Sequence, residues 1–247
     1  MRLAAVQMAP GLKQPVQNLW SMTSLVMLAA AQKAELIVLP ELATSGYSFM
    51  SALDVAPYAE VLVEGQGTLQ HFRTLSTQLD VAIVWGMPVR DGDLFHNAQI
   101  MVMPDGSWIK CYKLNSWGND FLWSTPGKES PPITTWRGKK IGLLICRDIR
   151  DKSSGFKDFY EKGDADIVAF SSNFGDGGFP STSWMDFAKS NQVTLVVSNR
   201  YGRETCNNFG EGGVCIIDPP GPGQEYGTVH CDGLVWDQDC VVLADLV

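Results

Sequence analysis

Histidine is scarce in this chain of 247 residues, with three in all: His71, His96 and His230. No two of them lie at metal-ligand spacing and the cysteines form no Cys-x-x-Cys pair, so no metal or cofactor is expected and a metallohydrolase is disfavoured. A Gly-x-Ser-x-Gly elbow, a Walker loop, a Gly-x-Gly-x-x-Gly turn after a strand and a His-Glu-x-x-His helix are all missing. A Cys–His nucleophile pair stays open, because such partners meet in space rather than along the chain. Basic residues are also short, 19 Lys and Arg against 27 Asp and Glu, which leaves a net charge of −8 and no basic block. That balance argues against nucleic acid or an anionic membrane as partner and favours a small molecule. Long apolar runs are absent too. The longest candidate, from Leu25 to Leu39, is interrupted by Gln32, Lys33 and Glu35, so nothing is expected to span a membrane. The segment from Met1 to Met8 is too short an apolar run for a secretory signal and enters a turn at Pro10-Gly11, which points to a cytoplasmic protein. Six scattered cysteines in a chain long enough to bury a core without staples are read as reduced thiols.

What is present is a succession of β-branched apolar runs alternating with stretches of helical period, the pattern of an α/β protein. The runs predict strands at Leu3 to Met8, Leu36 to Leu39, Val81 to Gly86, Leu94 to Met103, Trp108 to Tyr112, Lys140 to Ile145, Ile167 to Ser171, Leu195 to Ser198, Gly213 to Ile217 and Val241 to Leu246. Helices are predicted from Pro15 to Lys33, where Pro15 suits a first turn and Leu19, Met22, Val26 and Ala29 share a face, and at Gly67 to Leu79 and Ser181 to Asn191. Pro219-Pro220-Gly221-Pro222-Gly223 reads as a tight turn between strands. With no repeat, low-complexity segment or composition shift, residues 1–247 are read as one domain. Whether the strands form one sheet or two is left open by the pattern.

Three polar residues stand directly after apolar strands, where an α/β sheet presents side chains to a ligand. Glu41 follows Leu36-Ile37-Val38-Leu39-Pro40, Lys113 follows Ile109-Lys110-Cys111-Tyr112, and Cys146 follows Ile141-Gly142-Leu143-Leu144-Ile145. Alone, each has a plainer reading: a surface Glu opening a loop, a solvated Lys, a structural Cys. Arg147 and Arg150 would lower the pKa of the Cys146 thiol and a nearby carboxylate would raise it, so the sign is open. Together the three supply a base, a cation and a nucleophile, enough for acyl transfer from an amide without histidine.

At these residues the chain resembles the nitrilase, or carbon-nitrogen hydrolase, superfamily. Three separated motifs occur in the family's order: Leu39-Pro40-Glu41 with Gly46-Tyr47, Tyr112-Lys113-Leu114, and Ile145-Cys146-Arg147-Asp148 with Arg150. Supporting stretches span the chain, among them His96-Asn97, Thr125-Pro126-Gly127, Trp184 with Asn191, Ser198-Asn199 and Phe209-Gly210. The resemblance implies a four-layer α-β-β-α sandwich of two mixed β-sheets and a homodimer. It implies that Cys146 attacks the carbonyl or nitrile carbon, that Glu41 serves as general base and acid, and that Lys113 with the backbone N–H of Arg147 stabilises the tetrahedral intermediate. Many members carry a second Glu seven residues before the Gly of the Pro-Gly turn; here that position is Asp120, one methylene shorter. Either Asp120 does this work from a shifted backbone, or Glu129 replaces it, or the role is lost. The family's Phe-Pro-Glu after the cysteine motif is also missing from Asp151-Lys152-Ser153-Ser154-Gly155-Phe156. The chain stops at Val247, about where the family's last strand ends, so a dimer is expected and larger spirals are not.

For substrate recognition the resemblance points to the loop Ser172-Asn173-Phe174-Gly175-Asp176, with Phe174 as a wall and Asn173 as a polar contact. A second wall would come from Asn199-Arg200-Tyr201-Gly202-Arg203, where Arg200 would pair with a substrate carboxylate or, alternatively, with an acidic loop of the protein itself. The resulting expectation is an amidase-type hydrolase of a small linear amide or N-carbamoyl compound, with water as second substrate. The alternatives are a nitrilase and a binding protein of the same fold that has lost its chemistry. A partly exposed Cys146 that alkylates faster than the other five cysteines would separate enzyme from binding protein.

Overall fold

The computed structural model describes residues 1–150, 165–175 and 178–246. In chain order its elements are β1 (Arg2–Met8), α1 (Pro15–Ala31), β2 (Leu36–Val38), α2 (Ala52–Val55), α3 (Gly67–Leu79), β3 (Ala82–Asp91), β4 (Leu94–Val102), β5 (Trp108–Tyr112) and α4 (Asp120–Trp123). There follow β6 (Ile133–Trp136), β7 (Lys139–Ile145), a 3-10 helix (Cys146–Arg150), β8 (Ile167–Ser171), α5 (Thr182–Asn191), β9 (Thr194–Arg200), β10 (Arg203–Glu204), β11 (Asn207–Asn208), β12 (Cys215–Ile217), β13 (Val229–His230) and β14 (Cys240–Asp245). The segments Asp151–Phe156 and Asp176, singled out in the sequence, lie wholly or partly outside the described residues.

Burial on both faces explains why the central strands read as unbroken apolar runs rather than as an alternation. Along β1, Leu3 and Ala5 point one way and Ala4, Val6 and Met8 the other, and all five are buried. The first set meets Leu36, Val38, Val84, Ile141, Leu143, Ile167 and Val196 in a core between two sheets. The second set meets Met22, Val26 and Ala29 of α1 and Leu69 and Phe72 of α3. A third core lies outside the other sheet, where Leu144, Val168, Phe170 and Leu195 pack on Trp184 and Ala188 of α5. Three cores between four layers give the α-β-β-α sandwich. Each buried Val, Leu or Ile in them contributes about 1.5–3 kcal/mol of transfer free energy.

One sheet has the order β5-β4-β3-β2-β1-β14 and the other β6-β7-β8-β9-β12-β13. Both are mixed: β1, β2 and β3 run parallel, as do β7, β8 and β9, while the outer pairings are antiparallel. The sheets join at one corner, where Gln7 pairs with Asn199 and Met8 with Arg200. The parallel strands β2, β7 and β8 therefore deliver their C-terminal ends to the same side of the molecule, and the candidate site lies there.

Differences from the sequence reading have local causes. α1 ends at Ala31 because Lys33 adopts a left-handed φ of 69°, which closes the helix. β3 runs on to Asp91 because a hairpin turn at Gly92 returns the chain as β4. β6 was not foreseen: its hairpin to β7 turns on Arg137 and Gly138, both at positive φ, and an Arg in the first position gives little turn signal. The Pro219–Gly223 stretch turns as expected, with Gln224 N–H on the Gly221 carbonyl, but within a longer connection from β12 to β13 closed by Asp218 N–H on Thr228 O.

Candidate active site

Glu41 stands just past β2, in a turn pressed onto β3. Gly86 N–H donates to the Pro40 carbonyl at 3.0 Å, and a Cβ at Gly86 would come within 2.6 Å of Glu41 Cα. Only glycine permits this approach, so β3 sets the depth of the carboxylate. Glu41 is fully buried. Its Oε1 accepts from Asn97 Nδ2 and from Lys113 Nζ, each at 2.7 Å, whereas Oε2 has no hydrogen-bond partner among the described residues.

Lys113 leaves β5 with its N–H on the Asn97 carbonyl at 2.8 Å. Gly127 grips the same residue from the other side, donating to Lys113 O at 2.9 Å, where a Cβ would meet Tyr112 O at 2.7 Å. The Lys113 ammonium is buried between Glu41 Oε1 and Asp120 Oδ2, the latter at 2.6 Å. Burial opposes its charge, but the Asp120 and Glu41 carboxylates outweigh burial and hold the amine protonated. Asp120 stands at the start of α4 with its carboxylate on Lys113, and Trp117 N–H and Asn97 Nδ2 hold it at 3.1 and 3.2 Å. Glu129 is exposed and lines a separate cleft.

Cys146 follows β7 with φ at 41°, in the left-handed region, and the chain then folds into the 3-10 helix. For a non-glycine residue this costs about 1–2 kcal/mol, and it swings the thiol off the sheet toward Glu41, as in a nucleophile elbow. Burial raises the thiol pKa first, the Glu41 charge and a hydrogen bond to Glu41 add to it, and Lys113 and the Asn173 backbone N–H pull it down. The net direction is up, which keeps the resting group a neutral thiol. Cys146 is 6% exposed as a residue, while Cys206 and Cys231 are exposed outright. The cysteine is thus buried rather than partly exposed as the sequence reading had it.

Asn173 and Phe174 leave the end of β8 and line a cleft with Cys146, Trp117, Arg147 and Arg150. Asn199 fixes this loop by accepting from Phe174 N–H at 2.7 Å and donating to its carbonyl at 3.0 Å. Both polar atoms of the Asn173 side chain are buried and unpartnered among the described residues, a pair of unmet hydrogen-bonding groups beside the thiol. Arg200 must be reassigned. It is buried, pairs with Glu204 at 2.7 Å, donates to Pro10 O at 3.2 Å and lies over Phe209, so it has no face for a substrate carboxylate. Glu204 in turn accepts from Tyr47 and Ser48 N–H at 2.8 and 2.6 Å, and Tyr47 OH donates to Trp117 O. Arg200 thus anchors the loop that follows Glu41.

Two residues at the site were not assigned a role from the sequence. Asn97 bridges Glu41 and Asp120, and the dipeptide His96-Asn97 before a strand was its only trace. Asp148 accepts from Leu114 N–H, Asn115 N–H and Asn115 Nδ2 at 3.2, 2.8 and 3.0 Å, locking the loop after Lys113 to the 3-10 helix. Burial pushes its carboxyl up to about 7.

The carbon-nitrogen hydrolase profile matches residues 2–222. An (R)-stereoselective amidase from a Pseudomonas species is 30% identical over 222 residues, covering 90% of this chain and 78% of the relative. A nitrilase from Pyrococcus abyssi (strain GE5 / Orsay) is 29% identical over 204 residues, covering 83% and 76%. An amidase from Nesterenkonia sp. AN1, solved in one mutant form with butyramide and in another with acrylamide added to its active-site cysteine, superposes with a TM-score of 0.81 in both. The butyramide form is 21% identical, covering 100% of this chain and 90% of that one, a likeness of fold. With the family's profile over most of its length and the matching fold, the chain belongs to the carbon-nitrogen hydrolase family, the nitrilase superfamily.

Proposed function

We propose that this protein is an amidase hydrolysing the carbon–nitrogen bond of a small linear amide or N-carbamoyl compound through a thioester on Cys146. The observation that carries the reading is the meeting, in one buried spot, of a neutral thiol, a carboxylate with an unpartnered oxygen and a lysine held charged by two carboxylates. As Sγ attacks the carbonyl carbon, its proton passes to Glu41. The carbonyl oxygen takes up the negative charge and meets Lys113 Nζ and the backbone N–H of Arg147. Collapse breaks the C–N bond, with the proton on Glu41 moving to the leaving nitrogen, and ammonia or amine departs. Water then gives a proton to Glu41 and adds to the thioester, and the acid leaves as the thiol regains its proton. Asp120 and Asn97 keep Lys113 and Glu41 aimed throughout. The unpartnered Asn173 atoms offer a donor and an acceptor to the substrate, and Phe174 forms a wall.

The amidases among the relatives and structural neighbours support this reading. A nitrile is the second reading, supported by the Pyrococcus relative described as a nitrilase. The test is ammonia release from a panel of amides, carbamoyl compounds and nitriles, comparing wild type with Cys146→Ala. Release from amides that vanishes in the variant is expected. A folded enzyme inert toward amides but active on nitriles reverses the ranking, and no release from any compound returns the protein to the binding-protein alternative.

A further inference from the structure

The cysteines are scattered along the sequence, but the fold brings two of them face to face. β12 and β13 pair antiparallel, with Ile217 opposite Val229 and Ile216 opposite His230. One step further along the same ladder, Cys215, the first residue of β12, stands opposite Cys231, which directly follows β13. The bonding pattern fixes what kind of pair this is. Asp218 N–H donates to Thr228 O at 2.9 Å, so Asp218 and Thr228 are a hydrogen-bonded pair, and alternation along the ladder makes Cys215 and Cys231 a non-hydrogen-bonded one. Such pairs hold their Cα atoms about 4.5 Å apart with the side chains close together, inside the range of roughly 4.4–6.8 Å that a disulfide spans. The face agrees as well. Cys215, Ile217 and Val229 belong to the core under α5, whereas Ile216 belongs to the core between the sheets, so the period of two puts Cys231 on the side of Cys215. The other two strand cysteines have no such neighbour: Cys111 faces Gln99 and Cys240 faces Gln7.

The two thiols, both free, differ in access: Cys215 is fully buried and Cys231 is exposed. Burial raises the Cys215 pKa and the charge of a Cys231 thiolate adds to it, an effect between near neighbours. The segments that carry them also meet at the corner joining the sheets. Gly213 N–H donates to Gln7 Oε1 at 2.6 Å, Gln7 Nε2 donates to Val235 O and Gln238 O at 2.7 and 2.9 Å, and Asp237 N–H donates to Glu211 O at 2.9 Å.

We propose that Cys215 and Cys231 are a site of reversible oxidation, closing to a cross-strand disulfide in the presence of a low-molecular-weight disulfide such as oxidised glutathione. The Cys231 thiolate attacks one sulfur of the oxidant, and one glutathione leaves, taking up the proton that Cys231 gave up. Cys215 then loses its proton and attacks the Cys231 sulfur of the mixed disulfide, and the second glutathione leaves with that proton. The protein gives up two electrons and two protons, and the oxidant becomes two thiols. The order follows access, since the oxidant meets Cys231 and Cys215 meets only Cys231. The bond ties together the two segments that clasp Gln7, and so staples the corner between the sheets.

The test uses Cys206→Ser, which removes the other exposed thiol, equilibrated natively in glutathione buffers from reducing to oxidising. After acid quenching, mass spectrometry without reduction is expected to find a peptide linking Cys215 to Cys231 in the oxidising buffers, lost again on adding dithiothreitol. Maleimide labelling of the native variant falls from one thiol to none over the same range. The urea midpoint rises on oxidation and returns on reduction, because the link closes a loop in the unfolded chain. Adding Cys231→Ser, an exposed change that spares the core, makes the midpoint equal in both buffers and leaves Cys215 an unmodified thiol. Cys231 recovered only as a glutathione mixed disulfide beside a free Cys215, a link that forms only after urea has unfolded the chain, or a linked form with a lowered midpoint would overturn the inference.

Discussion

Lys113 touches Glu41 and Asp120 at once, so its loss is felt in two ways. On the proposed mechanism, in which Lys113 meets the developing oxyanion, Lys113→Ala is expected to lower kcat by about two to three orders of magnitude. It also leaves two carboxylates buried without their counter-ion, which costs about 3–5 kcal/mol of stability. Steady-state kinetics and urea unfolding read the two effects separately. A variant with unchanged kcat and raised KM would make Lys113 a binding residue only. At this scale the sequence was informative where a polar residue interrupts an apolar run: Glu41, Lys113 and Cys146 each break a pattern that burial otherwise enforces. Asn97 carries no such mark, because its importance comes from lying opposite Pro88 on β3 and one residue before the stretch of β4 paired with β5. Arg200 misleads for the converse reason. A charged residue at a strand end suggests a ligand, and the partner that claims it, Glu204, comes four residues later in a small hairpin that no periodicity announces.

Elements hold these residues in register, and the joint between the 3-10 helix and the loop after β5 is the one with a titration built into it. Asp148 closes that joint, and its folded-state pKa is raised from an ordinary 3.8 to about 7 by burial. The sign follows from linkage. Over this interval the folded form holds a proton that the unfolded chain has released, so the contribution to stability is fully present below about pH 4 and is lost as pH rises through about 7. Asp148→Asn cannot titrate. The difference in urea midpoint between wild type and Asp148→Asn is therefore expected to shift in favour of the variant as pH is raised from 5 to 8, and parallel pH profiles would contradict the assignment. The strands and long helices at this scale were legible from burial on both faces and from helical period. The backbone turn at Cys146 was not, since a positive φ in a non-glycine residue leaves no trace in composition.

For the molecule as a whole, the sandwich decides which thiols meet solvent. Cys111, Cys146, Cys215 and Cys240 are buried, and Cys206 and Cys231 are exposed. A bulky maleimide is expected to label the two exposed thiols in the native protein and all six after unfolding; early labelling of Cys111 or Cys215 would be incompatible with the cores described. The sequence pattern left the number of sheets open, because a single corner pairing of β1 with β9 separates one continuous sheet from two facing layers, and such tertiary closure has no local signature. The central claim, a thioester on Cys146, is read most directly from the mass of the protein itself. Acid quenching during turnover of the best amide, followed by mass spectrometry of the intact chain and of its Cys146 peptide, is predicted to show the acyl group on Cys146 and none in Cys146→Ser. Continued ammonia release from Cys146→Ala, or an acyl group found on another residue, would contradict the account.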